Sequence, residues 1–162
     1  MAAGLSMEKE NVDRFRADVN AFATLTEEDF VEKIHIDVPM PLSYITTTLI
    51  REFECLEPFG KGNEKPVFAV RNVHPLRASV VGKNKNVLRM VLEDGAGGSV
   101  DAVYFGDIEA FFAFLREKSS DRQVEALLHG APQEIRFSIT YDPSIDSYLG
   151  REKVLVIIRH YC

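Results

Sequence analysis

Apolar residues near the start of the chain recur at the spacing of an α-helix. Steps of three or four residues separate Val12, Phe15, Val19 and Phe22. A helix over residues 7–24, capped by Ser6, would therefore carry these four side chains on one face. Exposed apolar patches tend to be hidden from water. We expect the helix to pack on the rest of the chain, to self-associate with a second copy, or to fray.

Two weaker signals follow this helix. Thr26 and Asp29 have the spacing of a capping box, which predicts a short second helix. Lys33–Val38 then alternates apolar and polar side chains, as a half-buried strand does. Pro39 and Pro41 are expected to end this strand, because proline has no N–H to donate to a ladder.

A third helix is predicted over residues 44–56, with Ser43 as its cap. Its apolar stripe consists of Ile45, Leu49, Phe53 and Leu56. The loop Pro58–Pro66 follows and must turn tightly, because it combines prolines with glycines. Its Gly-Lys-Gly sequence lacks the Ser or Thr and the following helix of a phosphate-binding loop, so we interpret it as a turn.

From Val67 onward the pattern is typical of β-strands. Strand segments are predicted at Val67–Val73, Leu76–Val81, Val87–Glu93, Val100–Phe105, Ile135–Tyr141 and Lys153–His160. Pro75 forces a break or a bulge between the first two. Asp107 is expected to cap a helix over Ile108–Lys118. With the first two segments taken together, this order is that of an OB-fold, a five-stranded Greek-key barrel. The predicted fold class is therefore α+β, mainly β, with an N-terminal helical appendage.

The distribution of charge changes the functional expectation. The net charge of −6 argues at first against a nucleic-acid partner. Residues 58–92, however, contain seven basic side chains and one acidic side chain, whereas the segments before and after them are acidic. A basic block within an acidic protein favours a local anion-binding face, and a merely solvated basic surface is the alternative.

Little in the sequence indicates catalysis or membrane insertion. Cys55 and Cys162 lie far apart without nearby ligand residues, which favours a reduced, cytoplasmic setting. Four histidines share no metal-ligand spacing and are interpreted as surface or hydrogen-bonded side chains: His35, His74, His129 and His160. No apolar run is long enough to cross a bilayer, and the N-terminus lacks the layout of a signal peptide.

Single-strand binding is the chemistry that the remaining residues support. OB-folds hold unpaired nucleic acid with basic residues, aromatic rings and the loops after the first and fourth strands. The predicted nucleic-acid-binding residues are Lys83 and Lys85 in the first loop, Arg89 on the second strand, Tyr104 on the third, and Tyr148 and Arg151 in the second loop, Asp142–Glu152. Core packing is the alternative for Tyr104, and fixing the loop is the alternative for Tyr148. Phe59, Phe68 and Phe105 are assigned to packing.

Several segments, in order along the chain, are similar to the C-terminal region of a known family. The most specific is Leu56–Phe68, which contains the sequence Pro-Phe-Gly-Lys-Gly-Asn. The others are Ala2–Ser6, Val81–Met90, Asp101–Gly106, Ser147–Arg151 and Val154–Ile158. Together they resemble RecJ, the family of single-stranded-DNA-specific exonucleases. Asn86 departs from the family pattern, because many relatives have a histidine there.

The resemblance implies a domain organisation and a function. Residues 1–40 would be the C-terminal remnant of a DHH-associated domain, residues 41–66 a connecting helix and loop, and residues 67–162 the OB-fold domain. The whole protein would degrade single-stranded DNA from the 5′ end with Mn²⁺ or Mg²⁺, in recombination and repair, alongside repair proteins. No segment matches the Asp-His-His domain that holds the metals. This chain is therefore expected to bind single-stranded DNA without a cofactor or catalysis of its own.

Two alternatives to this interpretation remain at the level of sequence. The first is an OB-fold module that docks a protein or braces a neighbouring domain without binding nucleic acid, which suits an acidic surface. The second is a related DHH phosphodiesterase that acts on small nucleotides. The Pro-Phe-Gly segment and the predicted OB-fold argue against the second alternative.

Overall fold

The computed structural model of the chain describes residues 4–31, 33–148 and 150–162, with the side chain of Tyr148 outside this description. Contacts within the chain divide it into two units, Met1–Ile34 and His35–Cys162. The first unit contains helix α1 (Val12–Phe22), which is shorter than predicted because a 3₁₀ turn precedes it. Asn11 rather than Ser6 therefore stands before the first turn of α1.

The apolar stripe of α1 is exposed within its own unit. Phe15, Val19 and Phe22 are 44%, 49% and 85% exposed, respectively. A 3₁₀ helix over Glu27–Phe30 follows, and the backbone amide of Thr26 donates a hydrogen bond to the Asp29 carboxylate at 2.7 Å. This contact confirms the predicted capping box.

Five strands of the second unit close into a barrel. The strands of the chain are β1 (Val38–Pro39), β2 (Phe68–Val81), β3 (Val87–Glu93), β4 (Ser99–Tyr104), β5 (Phe137–Tyr148) and β6 (Arg151–Tyr161). Barrel neighbours follow the order β2–β3–β4–β6–β5, and β2 also pairs with β5, which closes the ring. β4 and β6 are parallel, whereas the other barrel neighbours are antiparallel. This closed barrel confirms the predicted OB-fold.

Every second side chain of β3 fills the barrel. Leu88, Met90 and Leu92 are each at most 1% exposed, since alternate residues of a strand point to the same side. Helix α3 (Ile108–Lys118) contributes Phe111, whose ring lies 4.7 Å from that of Tyr161. The core therefore consists of inward strand residues covered by a helix between β4 and β5, as predicted.

Two helices follow β4, and the sequence predicted only the first of them. The Asp107 carboxylate accepts a hydrogen bond from the Ala110 amide at 2.9 Å, which confirms the predicted start of α3. Helix α4 (Asp121–Leu128) follows directly, with Ser120 as its cap, and the sequence analysis missed it. Its buried residues Val124 and Leu127 join the barrel core.

Pro75 lies inside the continuous strand β2. It is opposite Leu92, whereas Arg77 is opposite Val91, so Leu76 is the extra residue of a β-bulge. This shift in register confirms the predicted bulge. Its physical cause is that proline cannot donate the hydrogen bond that a regular ladder requires. As a result, the consecutive residues Leu76 and Arg77 are both exposed.

The alternation in Lys33–Val38 does not produce the predicted strand. Only Val38 and Pro39 pair, in parallel with the first residues of β2. Residues 33–37 lie outside the strands that the structure describes, because alternation forms a strand only where a neighbouring strand is available. Pro39 pairs at the edge of the sheet, where its missing N–H does not interrupt the ladder.

The third predicted helix is shorter than expected and has a different cap. Helix α2 spans Thr47–Glu52, with a 3₁₀ turn on each side. The hydroxyl of Thr46 accepts a hydrogen bond from the Leu49 amide at 3.1 Å, so Thr46 rather than Ser43 is the cap. Ser43 instead donates its backbone amide to the carboxylate of Asp94 at 3.1 Å.

Asp142–Glu152 is a β-hairpin rather than the predicted loop. β5 continues to Tyr148, which pairs with Arg151 at the start of β6. The prolines, serines and aspartates of this segment favour a loop locally, but the long ladder with β6 overrides them. Pro143 is tolerated because β2 pairs with β5 only as far as Tyr141, which leaves a sheet edge beyond it.

Candidate nucleic-acid interface

The outward-pointing side chains of β3 and β4 form a mixed surface, here called the outer face. It comprises Val87, Arg89, Val91 and Asp101, together with Val103, which lies on the same side of β4 but is only 9% exposed. The ladder places Arg89 opposite Val103 and Val91 opposite Asp101. The guanidinium of Arg89 is half exposed and lies 3.8 Å from the Asp101 carboxylate. Arg89 is therefore a surface cation with a single, loosely placed acidic neighbour.

The turn Gly82–Asn86 lies at one end of the outer face and presents two lysines. Gly82 has φ +93°, which side-chain-bearing residues rarely adopt, and the Lys85 amide donates to the Gly82 carbonyl at 3.0 Å. Lys83 and Lys85 are exposed. Neither has a salt bridge within the part of the chain that the structure describes. Their charges are available to a phosphate group.

The surroundings of Tyr104 favour core packing, the alternative to the predicted contact with nucleic acid. It is 9% exposed, and its ring packs against Phe111 at 5.4 Å and Tyr161 at 5.6 Å. A Cβ atom on Gly106 would lie 2.1 Å from the Tyr104 hydroxyl, so this glycine closes over the ring. Burial and the neighbouring Tyr104 raise the pKa of the Tyr161 phenol. We therefore assign Tyr104 to core packing.

Phe105 takes the exposed position instead. It directly follows β4 and, by alternation from the inward Tyr104, continues the outer face beside Val87. Its side chain is 61% exposed, so the assignment of Phe105 to packing was wrong. Once the structure shows Ala102 to be fully buried, counting alternate residues along β4 places Tyr104 inside and Phe105 outside.

Arg151 is not brought together with the lysine turn. The turn adjoins the end of β4, where Tyr104 is opposite Ile158 of β6, whereas Arg151 begins β6. The seven residues from Arg151 to Ile158 span about 23 Å in a strand that rises about 3.3 Å per residue. Arg151 is exposed at the far end of the barrel. The side chain of Tyr148 lies outside the described residues.

A second group of charges lies where the β5–β6 hairpin meets the barrel, and we call it the hairpin base. The Asp142 side chain is 7% exposed and accepts a hydrogen bond from Nε of Arg159 at 2.7 Å. Lys65 Nζ lies 4.0 Å from the same carboxylate. A separate pair lies near the turn of the hairpin, where Arg51 of α2 contacts the Glu152 carboxylate at 2.5 Å. The cations of the hairpin base therefore all have carboxylate partners.

Two polar side chains fix the segments around the barrel. The Asp94 carboxylate accepts hydrogen bonds from the amides of Ser43 at 3.1 Å and Ala96 at 2.9 Å. Burial acts to raise the pKa of Asp94, but these backbone hydrogen bonds outweigh it and hold the pKa below its ordinary value. The Tyr141 hydroxyl donates to the Met40 carbonyl at 2.7 Å, and burial raises its pKa. Both groups serve the fold rather than a ligand.

The resemblance implies a divalent metal for the whole protein, which needs several donor side chains close together. Within residues 4–31, 33–148 and 150–162, no three His, Cys, Asp or Glu side chains cluster so as to hold a metal ion. His74, for example, has its Nδ1 atom 2.9 Å from the Ile135 carbonyl. The described residues do not fit a metal centre. None of the described helices is long and apolar enough to span a lipid bilayer.

Comparisons with known proteins support the assignment of the barrel as an OB-fold. A family described as the RecJ OB domain matches residues 36–160. The chain is 30% identical over 161 residues to the single-stranded-DNA-specific exonuclease RecJ of Bacillus subtilis (strain 168), which covers 98% of this chain and 18% of that protein. The chain therefore spans less than a fifth of the length of this relative.

Solved structures of RecJ from Thermus thermophilus have the same fold. The complex with Mn²⁺ gives a TM-score of 0.61 at 18% identity, covering 97% of this chain and 20% of that one. The complex with Mg²⁺ gives a TM-score of 0.62 at 19% identity, covering 96% and 21%, respectively.

Proposed function

The chain belongs to the RecJ OB domain family, and on this basis we propose that it is the single-stranded-DNA-binding C-terminal region of a RecJ-like 5′–3′ exonuclease. Because the chain spans 18% of the Bacillus subtilis relative, we assign catalysis and its divalent metal to other parts of the whole protein. The chain alone is then inactive as a nuclease. In this proposal the protein acts in the cytoplasm, in DNA recombination and repair.

The observation that supports DNA binding is the outer face of the matched barrel, with two lysines at one end that have no salt bridge among the described residues. Lys83, Lys85 and Arg89 would neutralise phosphates, and Phe105 would stack on a base. Stacking on an aromatic ring contributes about 1–3 kcal/mol per base, so one exposed phenylalanine is a substantial part of a weak site. Arg151 would meet the strand at the far end of the barrel. A contact by Tyr148 remains a prediction from the sequence.

We further propose that the DHH-associated remnant ends near His35 rather than at residue 40. The contacts of the chain divide between Ile34 and His35, and β1 pairs with β2. Both observations support grouping residues 36–66 with the barrel. We also propose that the chain self-associates through the exposed stripe of α1 and that the whole protein has repair proteins as partners. The exposure of Phe22 supports the first, and the family resemblance is the basis of the second.

A salt titration with labelled oligothymidine tests the proposal. Replacing Lys83 and Lys85 with Ala should lower the slope of log affinity against log salt by about 1.4, because each neutralised phosphate of a single strand contributes about 0.7 to the slope. The matched control replaces Lys118 and Arg122, exposed cations of α3 and α4, with Ala. This control should leave the slope unchanged.

Two results would contradict the proposal in different ways. An unchanged slope in the Lys83/Lys85 variant would remove these residues from the binding site. A wild-type chain that binds no oligothymidine below about 100 mM salt would instead favour a protein-docking module without intrinsic nucleic-acid binding.

A further inference from the structure

A hollow of about 700 Å³ lies beside the outer face, where β2 and β3 meet the end of α4. Its lining combines apolar and polar side chains: Leu76, Val91, Leu128, Arg77, Ser79 and His129. The ladder places Arg77 opposite Val91 and Ser79 opposite Arg89. The hollow is therefore continuous with the outer face along β2.

The β-bulge at Pro75 shapes the floor of this hollow. In a regular strand only one of two consecutive residues would point outward. The extra residue turns both Leu76 and Arg77 to the surface, while Ala78 returns to the core at 5% exposure. Bulges commonly redirect side chains next to binding sites. Here the bulge places an apolar side chain and a guanidinium next to each other.

The helical wall of the hollow is fixed by backbone hydrogen bonds. Gly130 has φ +66°, a conformation that favours glycine, and it ends α4. The Ala131 amide donates to the Ala126 carbonyl at 2.8 Å, which closes the helix end. Beyond it, the side-chain amide of Gln133 donates to the Pro75 carbonyl, so the connection to β5 is attached to the bulge. The segment after the helical wall is therefore attached to the strand that forms the other wall.

The side chains of the hollow match the two parts of a nucleotide. Leu76 from the strand and Leu128 from the helix remain 38% and 41% exposed, although both are large and apolar. Arg77 has no salt bridge among the described residues, in contrast to Arg89, which has Asp101 at 3.8 Å. Apolar surface suits the face of a base, and an unpaired guanidinium suits a phosphate.

We propose that this hollow binds one unpaired nucleotide, with its base against Leu76 and Leu128 and its phosphate on Arg77. The inference depends on the proposed function and extends it by giving the strand a path. A bound strand runs from the lysine turn past Arg89 and along β2 to Arg77. The four residues from Arg77 to the end of β2 at Val81 span about 13 Å of strand, and the lysine turn follows directly, which sets the length of this path.

Three variants of the full 162-residue chain test the site with labelled oligothymidine of about 12 nucleotides, a usual length for one OB-fold. Arg77→Ala should lower affinity about tenfold and reduce the salt slope by about one, since it removes a charge-assisted phosphate contact. Leu128→Ala should lower affinity about threefold at an unchanged salt slope, because it removes contact with a base only. Arg122→Ala, an exposed cation of α4 outside the hollow, should bind as the wild type does.

An abasic strand of the same length separates the base contact from the phosphate contact. The wild-type chain should prefer oligothymidine to the abasic strand, and Leu128→Ala should narrow this preference. If Arg77→Ala leaves the slope unchanged while Lys83→Ala with Lys85→Ala lowers it, the hollow is excluded and the proposed function stands. If the wild-type chain binds no oligothymidine, both are excluded.

Discussion

Arg89 and Arg159 both project from strands of the same barrel, but their surroundings differ. Arg159 is bound to the carboxylate of Asp142, which is 7% exposed. Arg89 lies in the open at 3.8 Å from Asp101, next to a turn whose lysines have no partner among the described residues. The hairpin base thus uses its cations to hold strands together, whereas the outer face leaves them available to an anion.

This difference shows that a count of basic residues does not locate a binding surface. Lys65 belongs to the basic segment 58–92, yet it lies 4.0 Å from Asp142 and serves the hairpin base. Lys83 and Lys85 belong to the same segment but lie exposed in the turn Gly82–Asn86. What separates the two groups is the presence of a carboxylate within reach, which only the folded chain determines.

The largest expected effect concerns the stability of the hairpin base. Arg159→Ala should lower the free energy of unfolding by about 2 kcal/mol, because it leaves the buried Asp142 carboxylate with Lys65 alone. This loss is smaller than that for a fully buried ion pair, since the Arg159 side chain is 55% exposed. Urea unfolding measures the loss. Arg122→Ala, whose side chain is exposed on α4, is the matched control and should leave stability unchanged.

The same Arg159→Ala variant also tests whether the two regions are distinct. Its salt slope for oligothymidine should equal that of the wild-type chain, because its charge is already paired. A slope lowered by about one would show that Arg159 meets a phosphate, and the contrast between the hairpin base and the outer face would then be lost.

The next effect concerns the two neighbouring rings at the end of β4. Phe105→Ala should weaken oligothymidine binding about tenfold, because an exposed ring is lost as a stacking surface. Tyr104→Phe is the matched control, since it keeps the buried ring and should leave affinity unchanged. Fluorescence anisotropy measures both. Equal affinities for Phe105→Ala and the wild-type chain would exclude stacking at this position.

The smallest effect concerns the acidic neighbour of Arg89. Asp101→Asn should strengthen oligothymidine binding about twofold to threefold, because a loose surface pair contributes less than about 1 kcal/mol and its removal frees the guanidinium. Anisotropy at low salt is the sensitive measurement, and the gain should shrink as salt screens the charges. Weaker binding by Asp101→Asn would indicate that the pair orients Arg89 for the strand.

Alternation and turn residues were sufficient to predict the barrel. β3 matches its predicted bounds, Val87–Glu93, because each buried residue is followed by an outward one. Helix α4 was missed, although the sequence has a typical capping residue before it, Ser120, and a typical terminating residue after it, Gly130. The hairpin Asp142–Glu152 was missed for a different reason: its local residues favour a loop, and only pairing with β6 makes it a strand.

Which side chains of the candidate site face outward depends on strand register. A sequence determines register less directly than it determines the presence of a strand. Lys83, Lys85 and Arg89 lie where the sequence placed them, because a turn and an alternating strand locate them without knowledge of the neighbours. Tyr104 and Phe105 were exchanged, since a shift of one residue moves a side chain to the other face. The bulge at Pro75 was predicted, but the exposure of both Leu76 and Arg77 and the position of α4 beside them required the folded structure.

The parallel pairing of β4 with β6 has a consequence for synthesis of the chain. Val103 is opposite Ile157, and more than fifty residues separate them. On the ribosome, β2, β3 and β4 can pair as a meander as soon as they emerge, because their turns are local. α3 covers only part of the apolar side of that meander, and the rest stays open until β5 and β6 leave the exit tunnel. We expect a nascent chain stalled after α3 to expose apolar strand surface that favours aggregation.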